Sequence, residues 1–453
     1  MGLIVAGERS GVGKTTVTLA LLAALRRRNQ SMQSFKVGPD YIDPMFHQFV
    51  TGRTCRNLDP VLTSEAYVQA CFAQHCQTAQ STLIEGVMGL FDGATGANDF
   101  ASTAHIARLL NLPVLLILNC SSLSRSIAAI AHGYRTFDPR IQIAGVVLNR
   151  VGSDRHLELL TEALKPLDLP ILGVLRRQDD IAIPDRHLGL IPTAELSDLN
   201  AIVDRLATLG ETCFDWSQLL PLLRCDPRSI KPLQDSPKLK IRLAVARDRA
   251  FSFYYADNLD LLTQLGAELV FWSPLIETLP ENVQGLYFGG GFPEVFAAEL
   301  AENHAARAAV QTAIAAGMPT YAECGGLMYL CEQITDFANQ SHSMVGVLPT
   351  IATMGKRLTL GYRRCTALQN SPLLQKGDSV WGHEFHRSTV TASNHPLFDL
   401  QGYHSSLTFA PEGWQMHRVH ASYVHLHFGA QPQLPIRFLQ QCKAFQASDA
   451  AIA

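Results

Sequence analysis

Short apolar runs recur through the first half of the chain: Leu3–Ala6, Ser34–Val37, Thr82–Met88, Pro113–Leu118, Ile143–Leu148 and Ile171–Leu175. They are nearly continuous rather than alternating, the pattern of strands buried on both faces. Helix-like segments lie between them, the first being the VTLALLAALRRR run after Thr16. Strand and helix in regular alternation predict a doubly wound parallel sheet. A helix-like run extends from Pro192 to about Leu209, and Leu219 to Lys238 is rich in Pro, Arg, Lys and Asp. Asp226–Lys238 reads as a linker. A new apolar strand, Ile241–Ala246, then opens a second α/β series: a helix-like Tyr254–Leu265, a strand at Glu268–Trp272, and strand-like approaches to Gly291 and Cys324. The expected organisation is a P-loop parallel-sheet domain over 1–200, a connecting helix and linker over 201–238, and a second α/β domain over 239–446.

Length and composition narrow the partners. A chain of 453 residues with 47% hydrophobic and 17% charged residues suits two soluble domains with sizeable cores. A net charge of −3 argues against a nucleic-acid partner held by bulk electrostatics. The ten cysteines are scattered without a CxxC pair, which predicts reduced thiols in the cytoplasm. The apolar start, Gly2–Ala6, is too short for a secretory core. No apolar run approaches the ~20 residues of a membrane span, so no membrane partner is expected.

The first chemistry-bearing stretch is GERSGVGKTT, Gly7 to Thr16, between a strand and a helix. That context predicts a phosphate-binding loop for ATP, with the backbone N–H groups of Gly11, Gly13 and Lys14 at a helix N-terminus. Lys14 would reach the β- and γ-phosphates, with Thr15 holding Mg²⁺ and Thr16 beside it. Glu8 stands where the strict pattern has glycine, so the loop is one residue longer. Gly38-Pro39-Asp40-Tyr41-Ile42-Asp43 follows a strand end, where open α/β sheets bind ligands. Asp40 or Asp43 can help hold Mg²⁺ there, against a plain turn with solvated carboxylates. Glu85 closes the third strand, placed to touch the metal shell, and Asp92 follows it. Asn149, at another strand end, is an amide able to read a base edge.

The second stretch is Tyr321-Ala322-Glu323-Cys324-Gly325-Gly326. A thiol between strand and helix sits on a sharp turn, where N–H groups and the helix dipole favour the attacking thiolate. Gly289-Gly290-Gly291 is a turn able to offer N–H donors to an oxyanion, together with Gly325. Imidazoles for a base are supplied by His425 and His427, which would share one face of a strand, with His417 and His420 near them. Spacing alone does not choose among them. His383-Glu384-Phe385-His386 places its histidines three apart and so fails the HExxH zinc pattern. The aromatic Phe251–Tyr255 run reads as core or as a pocket wall.

An ATP site and a thiol acyl site on one chain suggest ATP-driven amidation. Cys324 takes the acyl group of glutamine and releases ammonia, and ATP turns a substrate carboxylate into an acyl phosphate that ammonia attacks. The ammonia needs shelter from water, so a closed route is expected. Eight segments in order, GERSGVGKTT, FKVGPDYIDP, EGVMGLFDG, LNRVGSDRH, YFGGGFPE, YAECGG, GHEFHRS and SYVHLHF, resemble the cobyrinic acid a,c-diamide synthase family over nearly the whole chain. The resemblance implies a dethiobiotin-synthetase-like first domain and a second domain similar to class I, triad-type glutamine amidotransferases. It implies amidation of the a- and c-acetates of a corrinoid acid with L-glutamine, ATP and Mg²⁺. It makes Cys324 the nucleophile and His425 its partner. Asp40, Glu85 and Asp92 become metal- and phosphate-side carboxylates, with Tyr41, Ile42 and Asp43 on the substrate side and Asn149 at adenine. His427 stands where the class has its triad Glu, which leaves the third member missing or supplied elsewhere. Hydrogenobyrinic acid and nickel sirohydrochlorin are alternative substrates. A non-catalytic P-loop switch and a stand-alone thiol hydrolase are the competing classes, and a homodimer is among the oligomeric states left open.

Overall fold

The computed structural model describes residues 2–177, 184–186, 189–225, 239–403 and 409–452. The expected linker Asp226–Lys238 lies outside them. The chain divides into two compact units, 1–60 with 64–232, and 61–63 with 233–453.

Unit 1 is built on seven strands: β1 (Leu3–Gly7), β2 (Met32–Val37), β3 (Arg56–Leu58), β4 (Ser81–Glu85), β5 (Val114–Asn119), β6 (Ile143–Val151) and β7 (Ile171–Arg176). They stand in the order β3-β2-β4-β1-β5-β6-β7, every pair parallel. The unbroken apolar runs are thereby explained, since β1, β2, β4 and β5 are buried throughout. Three-residue β3 has no apolar run of its own and was invisible in the pattern. The crossover helices are α1 (Lys14–Arg27), α2 (Ile42–Thr51), α3 (Glu65–Cys76), α4 (Thr103–Leu110), α5 (Ser126–Phe137) and α6 (Asp154–Leu164). Ser64, Ser102 and Ser153 cap α3, α4 and α6 by accepting a backbone N–H. A short hairpin pairs β8 (Asp185–Arg186) with β9 (Gly189–Leu190). The helix expected as a connector is α7 (Leu199–Cys213); it packs along α1 and, with α8 (Trp216–Leu223), belongs to unit 1. Its cover explains why α1 is buried from Val17 to Leu25.

Unit 2 opens with β10 (Ile241–Ala246), α9 (Ala256–Gln264), β11 (Ala267–Trp272), β12 (Gly285–Phe288), α10 (Ala297–Glu302), α11 (His304–Ala315), β13 (Thr320–Glu323) and α12 (Gly325–Leu330). The strands that follow are β14 (Cys331–Thr335), β15 (Ser341–Ser343), β16 (Leu348–Ala367), β17 (Ser379–Thr389), β18 (Pro396–Gly402), β19 (Glu412–Met416), β20 (Val419–Ser422) and β21 (His425–Leu426), before α13 (Gln433–Ile452). The order β11-β10-β12-β13-β20 is parallel, and β19, β18 and β16 extend it antiparallel. Beside it, β17 pairs with both β16 and β21. Phe251, Phe253 and Tyr255 are buried, so the aromatic run is core.

Candidate functional site

In unit 1 the chain leaves β1 through the glycine loop and turns into α1 at Gly13, φ 96°. A Cβ there would sit 2.4 Å from Asn149 Nδ2, so only glycine fits. Asn149 faces the loop: its Nδ2 donates to the Val12 carbonyl at 2.7 Å, and its Oδ1 accepts from Arg150 N–H at 2.9 Å. The amide expected at a base edge is thus engaged in bracing the loop. Gly11 turns at φ 74°, and Thr16 is half-buried in the first turn of α1. Lys14 Nζ donates to the carbonyls of Met88 at 2.5 Å and Arg9 at 3.2 Å. Burial, then the Lys36 charge, draws Lys14 down to about 8 against the pull of Glu85, Asp43 and Asp92.

Beneath the loop a buried chain of polar groups begins at Thr15. Its Oγ1 donates to Glu85 Oε1 at 2.7 Å, and Glu85 Oε2 meets His47 Nε2 at 2.7 Å. His47 Nδ1 lies 3.4 Å from Cys55 Sγ. Glu85 and His47 are 1% and 0% exposed. Burial opposes both charges, yet both persist. The Cys55 and Glu85 partners lift His47 to about 10, and His47 with Lys36 holds Glu85 down to about 2. Lys36 Nζ donates to the Gly86 carbonyl at 3.0 Å and stands 3.6 Å from Asp43. Burial works against the Lys36 charge, but Glu85, Asp43 and Asp40 raise its pKa. Burial, then the charges of Asp40 and Glu85, push Asp43 well up. Asp40 Oδ1 accepts from the N–H groups of Ile42 and Asp43, which caps the start of α2. Tyr41 and Ile42, expected to face substrate, are buried there. Asp92 is exposed, with Oδ2 accepting from Gly89 N–H at 2.8 Å. Sequence reading missed His47. Its signal was the spacing from Asp43, four residues on, which sets both on one face of α2.

In unit 2 Cys324 occupies the sharp turn between β13 and α12 at φ 47°, ψ −97°, a strained conformation for a side-chain-bearing residue. Strand, strained nucleophile and helix is the geometry of a nucleophile elbow. The Cys324 N–H donates to the Ser422 carbonyl at 2.7 Å. The expectation of a favoured thiolate is reversed: burial, then Glu294 and Glu323, push the thiol well up, against one helping N–H of Gly325. The thiol is the resting form and needs a base. His425 is 1% exposed and packs against Gly290, where a Cβ would fall 2.5 Å from its Cε1. Gly325 borders the same turn, since a Cβ on it would lie 3.0 Å from Gly291 N. Cys324 and His425 therefore flank one glycine turn. Gly290 N–H, expected as an oxyanion donor, instead donates to the Phe253 carbonyl at 3.3 Å. That leaves Gly291 and Gly325 among the three glycines.

The histidines do not share a strand face as expected. β21 ends at Leu426, and His427 starts a 3₁₀ turn in which its Nδ1 accepts from Gly429 N–H at 3.1 Å. Asn258 fixes the intervening backbone, donating to the Leu426 carbonyl and accepting from Phe428 N–H, both at 2.7 Å. Glu384 and His386 are spent structurally: Glu384 pairs with Arg363 at 2.5 Å, and His386 stacks on Tyr423 with centroids 3.8 Å apart. His420 Nδ1 lies 3.0 Å from Ser371 Oγ. The carboxylate beside His425 comes from Glu323, with Oε2 3.5 Å from Nδ1.

A parallel-sheet unit with a P-loop and a second unit with a cysteine elbow define a class, the nucleotide-dependent glutamine amidotransferases. Residues 3–191 match a CobQ/CobB/MinD/ParA nucleotide binding domain, and 242–433 match a CobB/CobQ-like glutamine amidotransferase domain. A cobyrinate a,c-diamide synthase of Synechococcus sp. is 65% identical over 98% of both chains. One of Synechocystis sp. is 52% identical over 98% of this chain and 94% of its own. A hydrogenobyrinate a,c-diamide synthase of Streptomyces coelicolor is 40% identical over 97% of each. The chain belongs to the cobyrinate a,c-diamide synthase family. It is a carbon–nitrogen ligase that uses ATP through the first domain and glutamine through the second. Among the described residues no helix is long and apolar enough to cross a membrane.

Proposed function

We propose that this chain amidates the a- and c-acetate carboxylates of cobyrinic acid in the cytoplasm, with L-glutamine as nitrogen donor and ATP and Mg²⁺ as energy source. One observation carries the reading: the strained Cys324 elbow shares a chain with a P-loop whose Thr15 is bonded to a charged, buried Glu85. The identity to cobyrinate-amidating relatives supports the choice of substrate.

In unit 2 His425 takes the Sγ proton as the sulfur attacks the glutamine carboxamide carbon. The oxyanion is met by the N–H groups of Gly291 and Gly325. Collapse expels ammonia, which regains the proton, and water releases glutamate from the thioester. In unit 1 Gly11, Gly13, Lys14 and Thr16 would hold the triphosphate. Thr15, Glu85 and Asp40 would hold Mg²⁺, a hard cation suited to their oxygens. Glu85 stays ionised in that set because His47 and Lys36 secure its charge. ATP supplies the phosphoryl group that turns the acetate carboxylate into an acyl phosphate, from which ammonia displaces phosphate. Lys36 and Asp43 line the same strand end, on the substrate side.

Purified protein incubated with ATP, Mg²⁺, glutamine and cobyrinic acid should yield a product with two new amides by mass spectrometry. Parallel incubation with hydrogenobyrinic acid or nickel sirohydrochlorin tests the macrocycle. Absence of any mass change with all three would overturn the reading.

A further inference from the structure

The triad position two residues after the catalytic histidine is His427, whose nitrogens face Gly429 N–H and Asp257. It does not orient His425. We propose that Glu323, the residue immediately before the nucleophile, takes that role as a positioning carboxylate on His425 Nδ1. This rests on the amidotransferase reading above.

The geometry is specific. Glu323 is 1% exposed at the end of β13, and period-2 alternation puts it on the face of Tyr321. Its Oε1 accepts from Leu426 N–H at 3.0 Å and from the Tyr321 hydroxyl. Its Oε2 accepts from the Tyr287 hydroxyl at 3.4 Å and stands 3.5 Å from His425 Nδ1. Tyr287 and Tyr321 are register partners on β12 and β13, with rings stacked at 4.8 Å, so the carboxylate rests on a rigid aromatic floor. A buried carboxylate retained beside an imidazole and three other donors fixes that ring's tautomer. The separation of 3.5 Å is long for a hydrogen bond, as catalytic contacts are before substrate binds. With Nδ1 held as the N–H, Nε2 is left as the basic nitrogen, the one beside the glycine turn. Because Glu323 and Cys324 are adjacent, one backbone position sets both ends of the relay. Besides Cys324 across the glycine turn, His425 faces His383, its register partner on β17, which burial, then His425 and Arg363, push down to about 3.

The test uses the full chain with Glu323→Gln, which keeps the acceptor for Leu426 N–H but removes the charge. Glutaminase kcat should fall about 10²-fold with KM for glutamine unchanged. Ammonia-dependent amidation should persist at the wild-type rate. The acidic limb of the glutaminase kcat/KM profile should move to lower pH, because the neighbouring negative charge that favours the imidazolium is gone. Glu323→Asp should recover part of the loss. Wild-type glutaminase rates and an unshifted profile in Glu323→Gln would overturn the proposal, as would equal loss of both activities. A wild-type enzyme with no glutaminase activity would overturn the amidotransferase reading as well.

Discussion

The two units bury charge in opposite ways. Around the phosphate loop the buried ionisable groups come in pairs: Glu85 with His47, and Lys36 with Asp43. Burial penalises every charge, and the partners overcome it for Glu85, His47 and Lys36. Around the elbow His386 and Arg363 hold Glu384 down against burial, but for four other groups the balance runs the other way. Cys324 and Glu412 are pushed up and His383 and His420 pushed down, all mainly by burial, so these groups rest neutral at pH 7. A site that meets a triphosphate and a metal needs fixed charge at rest. The elbow generates its anion only once substrate arrives, and burial there makes each N–H donor count for more.

The strongest test separates the units by their chemistry. Cys324→Ala should lower glutamine-dependent amidation by at least about 10³-fold and leave amidation with free ammonia intact. Lys14→Ala should lower both by a similar factor, because the carboxylate is never activated. Product formation with each nitrogen source measures the contrast, and equal behaviour of the two variants would dissolve it.

The next effect concerns stability. His47→Ala leaves Glu85 as a buried charge without its closest partner, at a cost of about 3–5 kcal/mol. Calorimetry should show the loss, and hydrogen exchange should place it in β4 and α2. A change below about 1 kcal/mol would mean that Lys36 alone supports Glu85.

Legibility followed the same division. The parallel sheet of unit 1 was readable because strands buried on both faces are apolar throughout, and the loop because its spacing is tied to one function. The elbow was readable from glycines around a single Cys. Partners brought together by tertiary structure were not. His47 and Glu85 are 38 residues apart and Glu323 and Leu426 are 103 apart. Asn149 sits at a strand end as expected, yet which way its amide points depends on the loop above it. Glu323 was visible but unassigned, since a carboxylate before a nucleophile acquires meaning only when β21 brings His425 over it.

Two glycines offer a finer comparison. At Gly290 an added methyl would press on His425 Cε1 at 2.5 Å, so Gly290→Ala should cost about 10²-fold in glutaminase kcat and spare the ammonia-dependent reaction. At Gly13 a methyl would meet Asn149 at 2.4 Å in a left-handed turn, and Gly13→Ala should weaken ATP binding about tenfold. Glutaminase kinetics and nucleotide titration read the two, and an effect on the wrong activity would contradict the assignment of either turn.

The smallest effect probes the neutral character of unit 2 directly. Glu412 Oε1 accepts from Tyr423 N–H at 2.7 Å, and Oε2 meets Ser422 Oγ at 2.8 Å. Burial, then the charge of Glu384, lifts it from 4.5 to about 8. A carboxyl raised on folding binds its proton more tightly in the native state. Its contribution to stability is therefore complete below pH 4.5 and is lost as pH rises through about 8. Wild-type stability should therefore fall with rising pH across that window. Glu412→Gln mimics the protonated acid, since its Nε2 can donate to Ser422 Oγ and its Oε1 can still accept from Tyr423 N–H. The variant should match wild type near pH 5, lack the decline, and exceed wild type near pH 8. Unfolding midpoints across that range decide it. A wild-type slope that survives in Glu412→Gln would place the titration elsewhere, and a variant less stable at every pH would show that Glu412 is held as the charged partner of Ser422, in the manner of unit 1.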